Sequence, residues 1–344
     1  MDPIALLRRM VEIPSLSGEE SALAAFLVET MRTLGFASRV DEAGNAVGVL
    51  GSGPMEIVLL GHLDTVPGEI PVRIESGALY GRGSVDAKGP LAAFIAAAAE
   101  VGALPGKRIV VVGATEEEAA SSRGARHAAT AFTPAYCVIG EPSGTRAVTL
   151  GYKGRIVLAY EAATGATHSA ARGGSVLEEG VEFWNRMKRW ADEYNVGKPM
   201  FDRLDPALRD IASENDGLTE TIRLRVSIGI PLGLAPDAVQ RKVEDLEPEP
   251  GRLRFWGADP PCRASKNTPL VRAFLQAIRA EGLDPAFKVK SGTSDMNVVG
   301  PVWNCPILAY GPGDSSLDHT PNEHLDLAEY QQAIAVLARV LQLL

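Results

Sequence analysis

Apolar and polar positions alternate along this chain in two styles. Up to residue 153, short unbroken apolar runs stand between longer stretches of helical periodicity. Residues 57–60, 109–112 and 136–139 are such runs, the pattern of strands covered on both faces. Asp2-Pro3 puts a capping acid before a proline at the first helical position and opens a helix to Val11, which Pro14 closes. Ser17-Gly18-Glu19-Glu20 has the form of a capping box for a second helix over 18–34, with Gly35 as its stop. Residues 36–40 and 46–50 read as paired strands, 72–79 as a hairpin arm, 88–101 as an alanine-rich helix and 121–131 as another helix. Strands alternating with helices predict an α/β fold with a mainly parallel sheet. Ligands of such sheets lie beyond the carboxyl ends of the strands.

After Gly154 the pattern changes. Residues 155–163, 218–230 and 252–256 read as strands, the second with apolar alternation. Ser175 and Glu178 make a capping box for a helix to Tyr194, and 236–246 reads as a further helix. This β-α-β-α-β stretch has the size of a small domain. Thr268-Pro269 then opens a helix ending near Gly282. Residues 307–310 form another apolar run, and Asp326 with Glu329 caps a closing helix. The expectation is a first domain of residues 1–153 and 263–344, carrying 154–262 as an insertion.

Composition narrows the function classes. The 344 residues suit two domains, and a hydrophobic content of 46% supports a sizeable core. With 43 acidic and 34 basic residues the net charge is -9, which argues against nucleic acid or an anionic membrane as main partner. Cys137, Cys262 and Cys305 are far apart and form no CxxC pair, so neither a disulfide framework nor a cysteine zinc site is indicated. No basic stretch followed by an apolar one opens the chain, and no apolar run approaches the length of a membrane span. The expected location is cytoplasmic.

Candidate chemistry follows the apolar runs. His62 and Asp64 lie in Gly61-His62-Leu63-Asp64-Thr65-Val66-Pro67, directly after residues 57–60. Their i, i+2 spacing sends both side chains to one side of an extended segment. A carboxylate beside an imidazole is what a metal-ligating His needs to hold its other ring nitrogen. Taken alone, this heptapeptide serves equally well as a polar loop. Thr115-Glu116-Glu117-Glu118 follows the second run, and Gly140-Glu141-Pro142-Ser143 the third. Asp86 closes Tyr80-Gly81-Arg82-Gly83-Ser84-Val85-Asp86 just before a helix N-terminus, where an anionic group is favoured. The glycine and lysine spacing there is not that of a phosphate-binding P-loop. His319 lies in Asp318-His319-Thr320-Pro321-Asn322-Glu323, after residues 307–310. Imidazole and carboxylate donors suit zinc-type cations, and a pair of cations needs a shared carboxylate.

GHLDTVP, GRGSVDAKG, TEEE, GEPS and DHTPNE resemble, in order and over nearly the whole chain, the motifs of the M20 family of metallopeptidases. That group includes glutamate carboxypeptidase, acetylornithine deacetylase and succinyl-diaminopimelate desuccinylase. The resemblance implies two divalent cations, Zn2+ or Co2+. It implies that His62 and Glu141 hold one, Glu118 and His319 the other, and Asp86 bridges them. Asp64 would orient His62, and Glu117 would be the general base. The family's Asp-Glu-Glu reads Glu116-Glu117-Glu118 here. Aligning Thr115-Glu116 with the family's Thr-Asp keeps Ser122 and Gly124 in register; a slip by one would make Glu116 the base and Glu117 the ligand. The resemblance further implies a cis peptide at Asp86–Ala87. It also implies a zinc-peptidase domain with an inserted ferredoxin-like α+β lid that dimerises. His168, in Gly165-Ala166-Thr167-His168-Ser169, would then reach a neighbouring subunit's site and meet the developing oxyanion. His127 and His324 read as structural, Glu116 and Glu323 as supporting or surface groups.

Residues 290–297 resemble the substrate-recognition loop of hydrolases that release lysine or ornithine from the glutamate tail of an amino-group carrier protein in lysine and arginine biosynthesis. On that resemblance Ser291, Gly292, Thr293 and Asp295 contact substrate. Asp295 would pair with a substrate ammonium or, alternatively, cap a turn. The chain lacks the Arg that one branch carries near 227–231. An acidic carrier needs a basic rim, for which Lys153, Arg172 and Lys290 are candidates. Rival readings are a deacylase of free acyl-amino acids, such as acetylornithine or succinyl-diaminopimelate, and a dipeptidase or aminopeptidase. A non-catalytic metal-binding protein is a third, and it would be expected to lack a base or a ligand.

Overall fold

The computed structural model describes residues 2–165, 175–248 and 251–344. The chain forms two compact units. The first comprises Met1–Gly151, Arg263–Val289 and Ser294–Leu344; the second comprises Tyr152–Cys262 and Lys290–Thr293. No helix among the described residues is long and apolar enough to cross a membrane.

The first unit is built on a mixed sheet. Its strands run in the order Ala37–Val40, Ala46–Leu50, Lys107–Ala114, Met55–His62, Tyr136–Gly140, Ile307–Ala309, Ala147–Tyr152 and Cys262–Arg263, and Ala286–Lys290 also pairs with Ala147–Tyr152. The central strands, from Lys107–Ala114 to Ile307–Ala309, are mutually parallel, and antiparallel pairs flank them. The unbroken apolar runs are these central strands, and residues 57–60 and 109–112 are fully buried. Alternate residues Ile57, Leu59, Ile109 and Val111 meet Leu27, Met31, Leu91, Phe94, Phe274 and Leu337 from the helices in one core. A smaller sheet joins Arg73–Glu75, Ala78–Tyr80 and His324–Asp326.

Parallel register aligns Gly61 with Gly113 on one neighbour and with Gly140 on the other. A Cβ on Gly140 would stand 2.9 Å from a Phe94 ring carbon and 3.0 Å from Gly61 Cα; one on Gly61 would stand 3.2 Å from Leu91 Cβ. Leu91 and Phe94 belong to the helix Lys88–Val101, which is buried along most of its length. The missing side chains let that helix lie close on the strand ends. Asp86 precedes the helix by two residues, so this glycine row helps set where Asp86 stands relative to His62.

Two helix starts differ from expectation. The second helix is Ser21–Thr33 and has no side-chain cap; the fourth is Arg123–Ala131, after Ser122 in a left-handed conformation. In both cases the polar residues ahead of the helix are engaged with the loops described below.

The second unit is a four-stranded antiparallel sheet in the order Asp205–Asn215, Thr219–Ile230, Gly154–Gly165 and Gly251–Asp259. Alternate residues Ile156, Leu158, Tyr160, Leu224, Val226 and Ile228 pack against Phe183, Met187, Val239 and Val243 of the helices Val176–Asn195 and Pro236–Glu244. The capping box of Ser175 and Glu178 is formed. Asp205–Asn215 was absent from the expected β-α-β-α-β pattern because most of its residues are exposed, which leaves no apolar alternation to read. Lys153 is a correction to the proposed basic rim. Its side chain is 0% exposed, with the ammonium 2.7 Å from the Arg203 carbonyl and paired with Asp205.

Candidate metal centre

The parallel strands finish at one sheet edge. Met55–His62 ends on His62, Lys107–Ala114 leads into Thr115–Glu118 and Tyr136–Gly140 leads into Glu141. Ligand atoms of His62, Glu117 and Glu141 all lie within 4.8 Å of one another, as do those of His62, Asp86 and Glu118. Asp86 faces two imidazoles with different oxygens: Oδ1 is 3.2 Å from His62 Nε2 and Oδ2 is 3.1 Å from His319 Nε2. His319 Nε2 is also 2.8 Å from Glu118 Oε1, and His62 Nε2 is 4.0 Å from Glu141 Oε1. The Asp86–Ala87 peptide bond is cis. His319 (φ 61) and Glu116 (φ 58) occupy the left-handed region, which is uncommon for residues other than glycine and costs roughly 1–2 kcal/mol each. Such outliers cluster where surrounding structure over-determines the backbone.

The loop carrying the glutamates is irregular, yet each of its amides is held by a side chain from elsewhere. Thr115 N donates to Asn45 Oδ1 (3.0 Å), Glu116 N to Glu20 Oε1 (3.0 Å), Glu117 N to Asp64 Oδ1 (3.0 Å) and Glu118 N to Asp64 Oδ2 (2.9 Å). Ser17 Oγ donates to the same Asp64 oxygen at 2.7 Å. Asp64 also touches His62 Nδ1, through its backbone carbonyl at 2.9 Å and its carboxylate at 3.4 Å. The Asp64 carboxylate therefore lies closer to Ser17 and to the amides of the glutamate loop than to the imidazole. This lacing separates the three glutamates. Glu116 turns its carboxylate to Ser121 Oγ (2.6 Å) and Arg123 (3.4 Å), whereas Glu117 and Glu118 face the imidazoles.

Electrostatics show what the cluster lacks. Burial raises the Glu117 carboxyl well above the usual range; the charge of His62 opposes this, and Glu141, Asp295 and Glu118 add to it. Burial also raises Glu118, against the pull of His319. Burial works against an ionised Asp86, but its hydrogen bonds to His319 and His62 hold it well below the ordinary carboxylate range. Burial would lower His62, but Asp64, Asp86 and Glu117 together keep it well above its usual value. Asp86 and Glu118 raise His319 to about 10. Carboxylates crowded this closely raise the proton affinity of both imidazoles and of one another, which calls for more positive charge than the chain provides. Divalent cations would supply it, and imidazole nitrogens with carboxylate oxygens are donors that zinc and cobalt accept. The donor set therefore fits the implied metals.

Other expected site residues lie as follows. Asp295 is 2% exposed and stands at the N-cap position of the helix Met296–Trp303, but makes no side-chain cap bond; Ser294 Oγ accepts from Met296 N at 3.2 Å instead. Ser291 and Gly292 are exposed and Thr293 is half-buried, in the segment grouped with the second unit. His168 and Arg172 lie outside the described residues. His127 sits 3.6 Å from Asp41, and His324 stacks on Tyr80 with ring centroids 4.7 Å apart. Sequence reasoning missed the supporting roles of Ser17, Glu20, Asn45 and Arg82. Of the two places expected for Glu323, supporting or surface, its full burial fits the first. Only Arg82 and Glu323 carried a signal, their place inside motifs.

The sequence profile described as Peptidase family M20/M25/M40 matches residues 58–343. A [LysW]-lysine hydrolase of Deinococcus radiodurans is 50% identical over 344 residues, covering 98% of this chain and 95% of that protein. A [LysW]-lysine/[LysW]-ornithine hydrolase of Saccharolobus islandicus is 30% identical over 282 residues, covering 82% and 78%. An M20 family metallo-carboxypeptidase from Sulfolobus solfataricus has the same fold, with a TM-score of 0.80 at 17% identity over 100% of this chain and 99% of that one. The match begins in the strand that delivers His62 and runs into the closing helix, so it spans all the loops that carry His62, Asp86, Glu117, Glu118, Glu141 and His319: the chain belongs to peptidase family M20/M25/M40.

Proposed function

We propose that this protein is a metal-dependent amide hydrolase that releases lysine, ornithine or both from the carrier protein LysW. The observation that carries the substrate is the 50% identity, across 98% of the chain, to a [LysW]-lysine hydrolase. His62 and Glu141 are proposed to hold one cation, Glu118 and His319 the other, and Asp86 both, since its two oxygens face different imidazoles. Zn2+ is the preferred ion and Co2+ a substitute. When bound, such cations acidify a water molecule and polarise an amide carbonyl. Glu117 takes the proton from that water and passes it to the leaving amine. Its burial among carboxylates gives it the raised proton affinity that such a shuttle needs. Asp64 fixes the backbone of Glu117 and Glu118 and steadies His62. Asp295 is proposed to pair with the ammonium of the lysyl group, with Ser291, Gly292 and Thr293 contacting the substrate beside it. His168 is proposed to meet the oxyanion from a second subunit. A homodimer through the second unit is supported by the Asp205–Asn215 edge strand, which among the described residues pairs on one side only and leaves backbone groups open. The three free cysteines fit a reducing cytoplasm.

The test is to incubate zinc-loaded protein with LysW carrying lysine and follow the carrier by intact mass. Loss of one lysyl group with appearance of free lysine is expected. A carrier left intact by protein that hydrolyses acetylornithine, succinyl-diaminopimelate or dipeptides would overturn the substrate.

A further inference from the structure

Glu323 is a fully buried carboxylate that the proposed chemistry does not use. Its Oε1 accepts from two successive amides, Val85 N at 2.9 Å and Asp86 N at 3.1 Å. Its Oε2 pairs with Arg82 at 2.7 Å, and both side chains are largely buried. Arg82 also donates to the carbonyls of Gly68 (3.0 Å) and Thr320 (3.4 Å). The Glu323 carbonyl accepts from Gly81 N at 3.3 Å, and the next residue, His324, pairs in strand register with Tyr80. One residue therefore ties the segment carrying Asp86 to the segment carrying His319. A buried carboxylate with an ion pair and two amide donors has its charge and lone pairs well satisfied, so this is a rigid joint.

Asp86 can face both imidazoles only while its backbone is held where its two oxygens reach opposite sides. We propose that Glu323 is a positioning residue for Asp86: with Arg82 it aims the bridging carboxylate at both cation positions and couples it to His319. This rests on the reading of the cluster as a two-cation centre. Glu323→Ala orphans two amides and leaves the Arg82 guanidinium without its counter-ion. Glu323→Gln keeps an oxygen for the two amides but turns an NH2 group towards Arg82. Arg82→Gln leaves the Glu323 amide bonds in place but removes the ion pair and the bonds to the Gly68 and Thr320 carbonyls.

The experiment measures cation stoichiometry and affinity by chelator competition, records the visible spectrum of the cobalt-loaded protein, and determines kcat and KM on LysW-linked lysine. Wild-type protein is expected to bind two cations. Glu323→Ala is expected to bind at least one of them about 10–100-fold more weakly, with an altered cobalt spectrum and a fall in kcat at little-changed KM. Glu323→Gln is expected to recover part of the loss, and Arg82→Gln to show the smallest effect. If Glu323→Ala does not fold, Glu323→Gln decides, with an affinity loss of several-fold expected. A wild-type protein that fails to bind two cations sinks the two-cation reading itself. A wild-type protein that binds two, with Glu323→Gln and any folded Glu323→Ala matching it within twofold and giving the same cobalt spectrum, overturns the role of Glu323.

Discussion

Asp64→Asn is the most informative single substitution in the first unit. The side chain is 0% exposed, and its two oxygens accept from Glu117 N (3.0 Å), Glu118 N (2.9 Å) and Ser17 Oγ (2.7 Å). Asparagine is isosteric but replaces one acceptor with an NH2 donor. If the NH2 takes the Oδ2 place, the Ser17 hydroxyl can rotate to accept from it, but the Glu118 amide is left without an acceptor. If it takes the Oδ1 place, the Glu117 amide is orphaned. Either way one buried N–H loses its partner, a cost of about 1–3 kcal/mol. Ser17→Ala removes a donor and orphans neither amide, so it should cost about 1 kcal/mol or less. Urea unfolding of the metal-free proteins measures both. In the zinc-loaded state the displaced glutamate loop should lower activity of Asp64→Asn about 10–100-fold. An Asp64→Asn protein within about 0.5 kcal/mol of wild type, with kcat unchanged, would refute the claim that Asp64 holds the glutamate loop. So would a Ser17→Ala protein as damaged as Asp64→Asn.

Other outcomes follow from the same geometry. Glu117→Gln should keep cation stoichiometry while kcat falls about 10²–10⁴-fold, the usual worth of a general base; near-normal kcat by steady-state assay would move the base elsewhere. Without cations the neighbouring carboxylates push His62 well above its usual pKa and His319 to about 10, favouring their protonated forms. Cations need both imidazoles neutral, so loading should release protons, and affinity should rise with pH. Calorimetry in buffers of different ionisation enthalpy counts these protons, and a count near zero would contradict the ligand set. Gly140→Ala puts a methyl 2.9 Å from the Phe94 ring and 3.0 Å from Gly61 Cα. It should cost about 1–3 kcal/mol by overpacking, whereas unchanged urea unfolding would mean that the helix is not seated on the glycine row.

The parts of this protein that depend on local pattern were legible in its sequence. Residues 57–60, 109–112 and 136–139 read as doubly covered strands and lie in the parallel centre of the sheet. Ser175 and Glu178 read as a capping box and form one. Ser17 and Glu20 read the same way, yet Ser17 bonds to Asp64, 47 residues on, and Glu20 to the Glu116 amide, 96 residues on. The two cases look alike locally, and only tertiary competition for those oxygens separates them. Lys153 read as a rim charge because nothing in its neighbourhood reveals the Arg203 carbonyl and Asp205 carboxylate that enclose it. Asn45 and Glu323 give no local sign of their partners either, since each satisfies amides brought close only by the sheet and its loops.

The central claim is that the sheet-edge cluster holds two cations joined by Asp86. Anomalous diffraction from zinc-loaded crystals at the zinc absorption edge tests it most directly. The account predicts two anomalous peaks, one beside His62 and Glu141 and the other beside Glu118 and His319, each in contact with a different oxygen of Asp86. A single peak, or a pair that Asp86 does not bridge, would contradict it.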